Sequence, residues 1–77
     1  MMCRVCNKPA EHHHVKTRGS GGGDEVWNLM PLCRYHHQEV HKIGLNKFSI
    51  MHGGVKDWLI DNRWEKDHNG KWRHYGD

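Results

Sequence analysis

The sequence predicts a small α+β domain: a β-hairpin followed by a helix, stapled by a metal, with an additional C-terminal helix. Three observations predict this. The 77 residues suffice for one domain, but a core of that size is marginal and needs a staple. The three cysteines are an odd number, which argues against a closed disulfide framework and for ligation shared with histidine. Short extended segments lead up to Cys33, and a helix bounded by Pro31 and Gly44 follows it.

The elements follow in order. Cys3-Arg4-Val5-Cys6 is a short knuckle, closed by the turn Asn7-Lys8-Pro9. Residues 11–16 read as a strand whose histidine run obscures the pattern. Residues 17–25, with Gly19, Gly21, Gly22 and Gly23, read as a flexible turn or Ω-like loop. Residues 26–32 form the second strand, so the two strands make a hairpin with a long tip. Residues 33–42 form the first helix. A second helix is predicted over 55–62, where Val55, Trp58 and Leu59 are spaced i, i+3, i+4. Across 46–64, Phe48, Val55, Trp58, Leu59, Ile60 and Trp64 are expected to complete a small core. Trp72 and Tyr75 either join that core, as burial preferences favour, or stack on bases.

Composition narrows the function classes. The formal charge is +3 and the pI about 8.9, a mildly basic balance compatible with a polyanionic partner. With 35% hydrophobic residues and a mean hydropathy of -1.00, no stretch approaches the roughly 20 apolar residues of a membrane span. Met1-Met2-Cys3 leads directly into a ligand pattern rather than a secretory signal. Free cysteines at metal spacing suit a reducing cytoplasm.

Cys3-x-x-Cys6 and Cys33-x-x-His36 are two half-sites, each placing two ligands close enough to share one ion. Zinc takes four such ligands tetrahedrally, with thiolate and imidazole both suitable. Cys3, Cys6, Cys33 and His36 therefore form a closed set, which marks a structural rather than a catalytic zinc. Nine histidines are present, most of them between His12 and His41. On a helix His37 and His41 share one face, while His36 is rotated roughly 100° from His37. Adjacent histidines thus serve two different sites.

The run from His13-His14 through the glycines, Asn28-Leu29, Leu32-Cys33-Arg34-Tyr35-His36-His37 and on to His41 resembles the HNH endonuclease family. The small phage-like members are the nearest in type. The resemblance covers residues 3–43, the motif core; residues 46–77 would be a helical extension and tail. His36 stands where the family usually has a cysteine, and Thr17 replaces a common proline. The resemblance implies a ββα-metal fold and hydrolysis of DNA phosphodiester bonds, leaving a 5′ phosphate. It makes His13, His37 and His41 ligands of a catalytic divalent cation, His14 the general base, and Asn28 the residue that orients that base. His12 remains an alternative to His13, because strand edges twist and bulge.

Imidazole titrates near neutral pH and is suited to deprotonating water. A three-histidine site favours Mn²⁺, Ni²⁺, Co²⁺ or Zn²⁺, whereas Mg²⁺, often used in the family, prefers oxygen. DNA contacts are expected mainly to phosphates, through Lys16, Arg18, Arg34 and Lys42, with Lys47 nearby. Nothing reads base edges, so little sequence specificity is expected. Two other readings stay open: a non-catalytic zinc-knuckle module binding nucleic acid or protein, and a nuclease directed by a protein partner.

Overall fold

In the computed structural model, which describes residues 1–75, the fold starts from an antiparallel pair. Strand β1, Glu11–His14, lies against β2, Leu29–Leu32, in the register Glu11↔Leu32 to His14↔Leu29. Both strands are shorter than the sequence suggests. Residues Val26–Asn28, expected to be extended, instead form a 3-10 turn that delivers the chain into β2. Alternation on β2 sends Met30 and Leu32 into the core. Pro31 leaves no gap in the ladder, since a two-stranded sheet has free edges. Its carbonyl accepts the Arg4 N–H at 3.0 Å, which ties the knuckle to the hairpin.

Helix α1, Arg34–Ile43, has Cys33 at its N-cap. It stops at Gly44, whose φ of 85° is open to glycine and strained for other residues. Two helices follow, α2 at Leu45–Met51 and α3 at Gly53–Asp61. The sequence indicates α3 clearly through Val55, Trp58 and Leu59, but α2 only as part of a generally helical stretch. A second hairpin then pairs β3, Trp64–Lys66, with β4, Trp72–His74. Its strands are too short and too charged to show in the sequence pattern.

Phe48, Met30, Leu32, Leu59 and Val55 are fully buried, and Val40, Trp64, Cys3 and Cys33 complete the core. Trp58 and Trp72 pack against it, whereas Ile60 and Tyr75 are exposed. The C-terminal hairpin is joined to the first one at Trp27. The Trp64 indole donates to the Trp27 carbonyl at 2.8 Å, and the His74 ring stacks on the Trp27 ring at 3.8 Å. Among the described residues no helix is long and apolar enough to cross a membrane.

Candidate metal centres and the histidine cleft

The knuckle, the end of β2 and the first turn of α1 bring Cys3, Cys6, Cys33 and His36 into one group able to hold a metal ion such as zinc. The Cys6 and Cys33 sulfurs lie 3.6 Å apart, and His36 Nδ1 is 3.2 Å from Cys33 Sγ and 3.7 Å from Cys3 Sγ. A tetrahedral zinc with ordinary Zn–S bonds separates its sulfurs by about 3.8 Å, so the donor set fits. Burial would push the Cys3 thiol up, but backbone N–H groups of Cys33, Val5 and Cys6 outweigh it and hold the thiol below its ordinary value. The Lys8 amide pulls Cys6 down, yet burial and the thiols of Cys33 and Cys3 prevail and push it up. Crowded sulfurs of this kind resist ionising together unless a cation balances them.

His36 has a further environment that the sequence did not flag. His36, Glu39 and His52 place ligand-type atoms within 4.8 Å of one another. His52 Nε2 and Glu39 Oε1 are 2.8 Å apart, linking α1 to the α2–α3 junction. Burial lowers the His36 pKa, with Glu39 opposing.

On the other face of α1, His37 and His41 meet His13 from β1, and the three offer ligand atoms within 4.8 Å of one another. The His13 ring stands edge-on to His37 at 5.0 Å and to His41 at 5.1 Å. His13 is buried and its Nδ1 has no hydrogen-bond partner, as suits a metal ligand better than a core residue. Burial first, then the neighbouring His37 and His41, lower its pKa to about 4, so the ring is neutral at neutral pH and its lone pair is free of proton competition. His12 points to solvent and lies outside this trio, at the edge of the cleft.

Two carboxylates set which nitrogens the other histidines present. Glu11 Oε1 is 2.7 Å from His37 Nδ1, and that contact holds the Glu11 carboxyl below the usual carboxylate range. An ionised carboxylate only accepts, so His37 carries its proton on Nδ1 and presents Nε2. Asp24 Oδ1 likewise lies 2.8 Å from His14 Nε2, with the Arg18 guanidinium 3.2 Å from the same oxygen. The His14 contact and then Arg18 lower the Asp24 pKa. His14 thus carries a proton on Nε2, and in the neutral ring the lone pair lies on Nδ1. Neither Glu11 nor Asp24 was singled out from the sequence.

Asn28 is fully buried, and its side-chain hydrogen bonds go to Lys16 and Gly23 rather than to His14. It accepts from the Lys16 N–H at 2.8 Å and donates to the carbonyls of Lys16 at 3.0 Å and Gly23 at 2.9 Å. Its influence on His14 therefore runs through the backbone two residues on, while Asp24 makes the direct contact. The same bonds pin the glycine-rich loop at both ends, so it is a built element rather than a free tip. A Cβ at Gly22 would lie 1.8 Å from the Lys16 carbonyl oxygen, so only glycine fits there. His13, His14, Arg18, His37 and His41 line one open cleft of about 220 Å³. Of the other cations, Lys16 is exposed beside the loop, and Arg34, Lys42 and Lys47 are exposed along α1 and α2.

No family model and no solved structure matches the chain. Curated proteins similar to part of it include the uncharacterized protein YdfU of Escherichia coli (strain K12), 44% identical over 43 residues, which cover 51% of this chain and 12% of that protein. Anaredoxin of Nostoc sp. (strain PCC 7120 / SAG 25.82 / UTEX 2576) is 36% identical over 42 residues, covering 54% of this chain and 55% of that protein. The matched region thus spans about half of one relative and about an eighth of the other.

Proposed function

We propose that this chain is an HNH-type endonuclease that hydrolyses DNA phosphodiester bonds with a divalent cation held by His13, His37 and His41. The observation that carries the reading is the convergence of that trio with His14 in one cleft. A hairpin running into a helix, with the cleft histidines carried on both, is compatible with a ββα-metal fold, which supports the same reading.

The cation, when bound, offsets negative charge on the phosphate and on the departing 3′ oxygen. The rest is the work of the chain's own groups. His14 Nδ1 takes the proton from the attacking water. Asp24, already bonded to Nε2, stabilises the imidazolium that results, and Arg18 keeps Asp24 ionised and in place. Glu11 holds His37 Nδ1 and so leaves Nε2 as the nitrogen that would serve as the ligand. Cleavage leaves a 5′ phosphate. Cys3, Cys6, Cys33 and His36 hold a structural zinc outside the chemistry.

Supercoiled-plasmid nicking with Mg²⁺, Mn²⁺, Ni²⁺, Co²⁺ and Zn²⁺, each with and without chelator, tests this. His14→Ala should cut about 10²–10⁴-fold more slowly, with fold and zinc content unchanged and no rescue by extra metal. His37→Ala should lose cutting and regain part of it in excess metal. Full activity in both variants would overturn the HNH assignment, and no cutting by the wild type with any cation would leave the chain a non-catalytic zinc-knuckle module.

A further inference from the structure

A second cleft, of about 730 Å³, runs between the glycine-rich loop and the C-terminal hairpin. Its cations are Lys16 from the loop and Lys71 and Arg73 from the hairpin, all exposed. No Asp or Glu lines it. Glu65 is opposite Arg73 in the β3–β4 ladder but stays outside the groove. The ion pairs found among the described residues involve none of the three cations. Thr17 lines this groove and also the histidine cleft, so the two adjoin at that residue.

We infer that this groove is the track for the DNA strand leading away from the scissile phosphate, with Lys16, Lys71 and Arg73 contacting its phosphodiester backbone. The inference rests on the nuclease reading. A groove that begins at a phosphate-processing cleft and carries cations from two separate elements matches a linear polyanion better than a small anion. It also redirects the expected DNA surface. Lys16 belongs to the track, whereas Arg34 and Lys42 do not line it. Lys71 and Arg73 were invisible in the sequence because the C-terminal hairpin was. The groove floor includes Trp64 and Trp72, but Trp64 is buried and the Trp72 indole donates to Ser49 Oγ at 3.2 Å. The contact is therefore to phosphate rather than to stacked bases, and it carries no sequence preference.

The test is binding of a short fluorescent DNA duplex to zinc-loaded protein, followed by anisotropy across a salt series. A His14→Ala background keeps the probe whole. Lys71→Gln with Arg73→Gln should weaken binding on the order of tenfold near 0.1 M salt and reduce the salt slope by about 2. Arg34→Gln with Lys42→Gln removes the same charge from α1 and should change both quantities much less. Both pairs are exposed, and melting curves should confirm that each variant is folded. Unchanged affinity and slope in the Lys71/Arg73 pair would overturn the track, as would an equal loss in the Arg34/Lys42 pair. Should wild-type protein nick no plasmid while binding still depends on Lys71 and Arg73, the nuclease reading fails and the groove stands.

Discussion

Two carboxylates govern how the cleft histidines present themselves. Without Glu11, no hydrogen bond selects which His37 nitrogen carries the proton; with it, Nε2 is the presented nitrogen. Glu11→Gln keeps the shape but weakens that preference. It should lower the cleft's affinity for Mn²⁺ or Ni²⁺ about 10–100-fold, the usual effect of losing such a partner, and leave the knuckle zinc in place. Isothermal titration of the zinc-loaded variant reads this directly, and an unchanged affinity would show that Glu11 does not orient His37. At this scale the sequence was informative where spacing along the chain fixes geometry. His37 and His41 share a helix face, and Cys33 and His36 lie three apart, so both relations follow from local structure. Glu11 and Asp24 were not legible. Their contacts depend on how the hairpin lands on α1 and how the loop folds back, and no local period encodes either.

Among the elements, the glycine-rich loop shows which of two readings of its sequence holds. Four glycines suggested a flexible turn or an Ω-like loop. The loop is closed over the Asn28 amide, which uses three hydrogen bonds to hold Lys16 and Gly23 together. Asn28→Ala would leave the half-buried Lys16 N–H and the carbonyls of Lys16 and Gly23 without this partner and should destabilise the protein by about 1–3 kcal/mol, with faster hydrogen exchange at Lys16 and Asp24 drawn away from His14. Gly22→Ala should act on the same contact by steric clash. Thermal melts and amide exchange together check this; an Asn28→Ala protein with wild-type melting would mean that the loop is held by other contacts. The hairpin and α1 were readable because Pro31, Cys33 and Gly44 punctuate them. The second hairpin was not. Three-residue strands give a period of two no length over which to show, and what holds them is a tertiary anchor on Trp27.

For the whole molecule, α1 is the common part. Cys33 at its cap and His36 in its first turn belong to one group able to hold a metal ion, and His37 and His41 to another. Cys33→Ser should therefore disturb both. The expected result is low zinc content, loss of cooperative melting, and no recovery of the histidine cleft on adding metal, measured by metal analysis and circular dichroism. A variant that melts normally and still binds a cation in the cleft would show the two groups to be independent. Shared use of one helix would also set an order of maturation if a zinc ion is what ties the knuckle to α1. His37 and His41 share a face as soon as the helix forms, but His13 would meet them only once the hairpin and α1 are held together. On the nuclease reading, a cell short of zinc would then accumulate inert chains rather than active cutters, and zinc supply would act as a safety interlock.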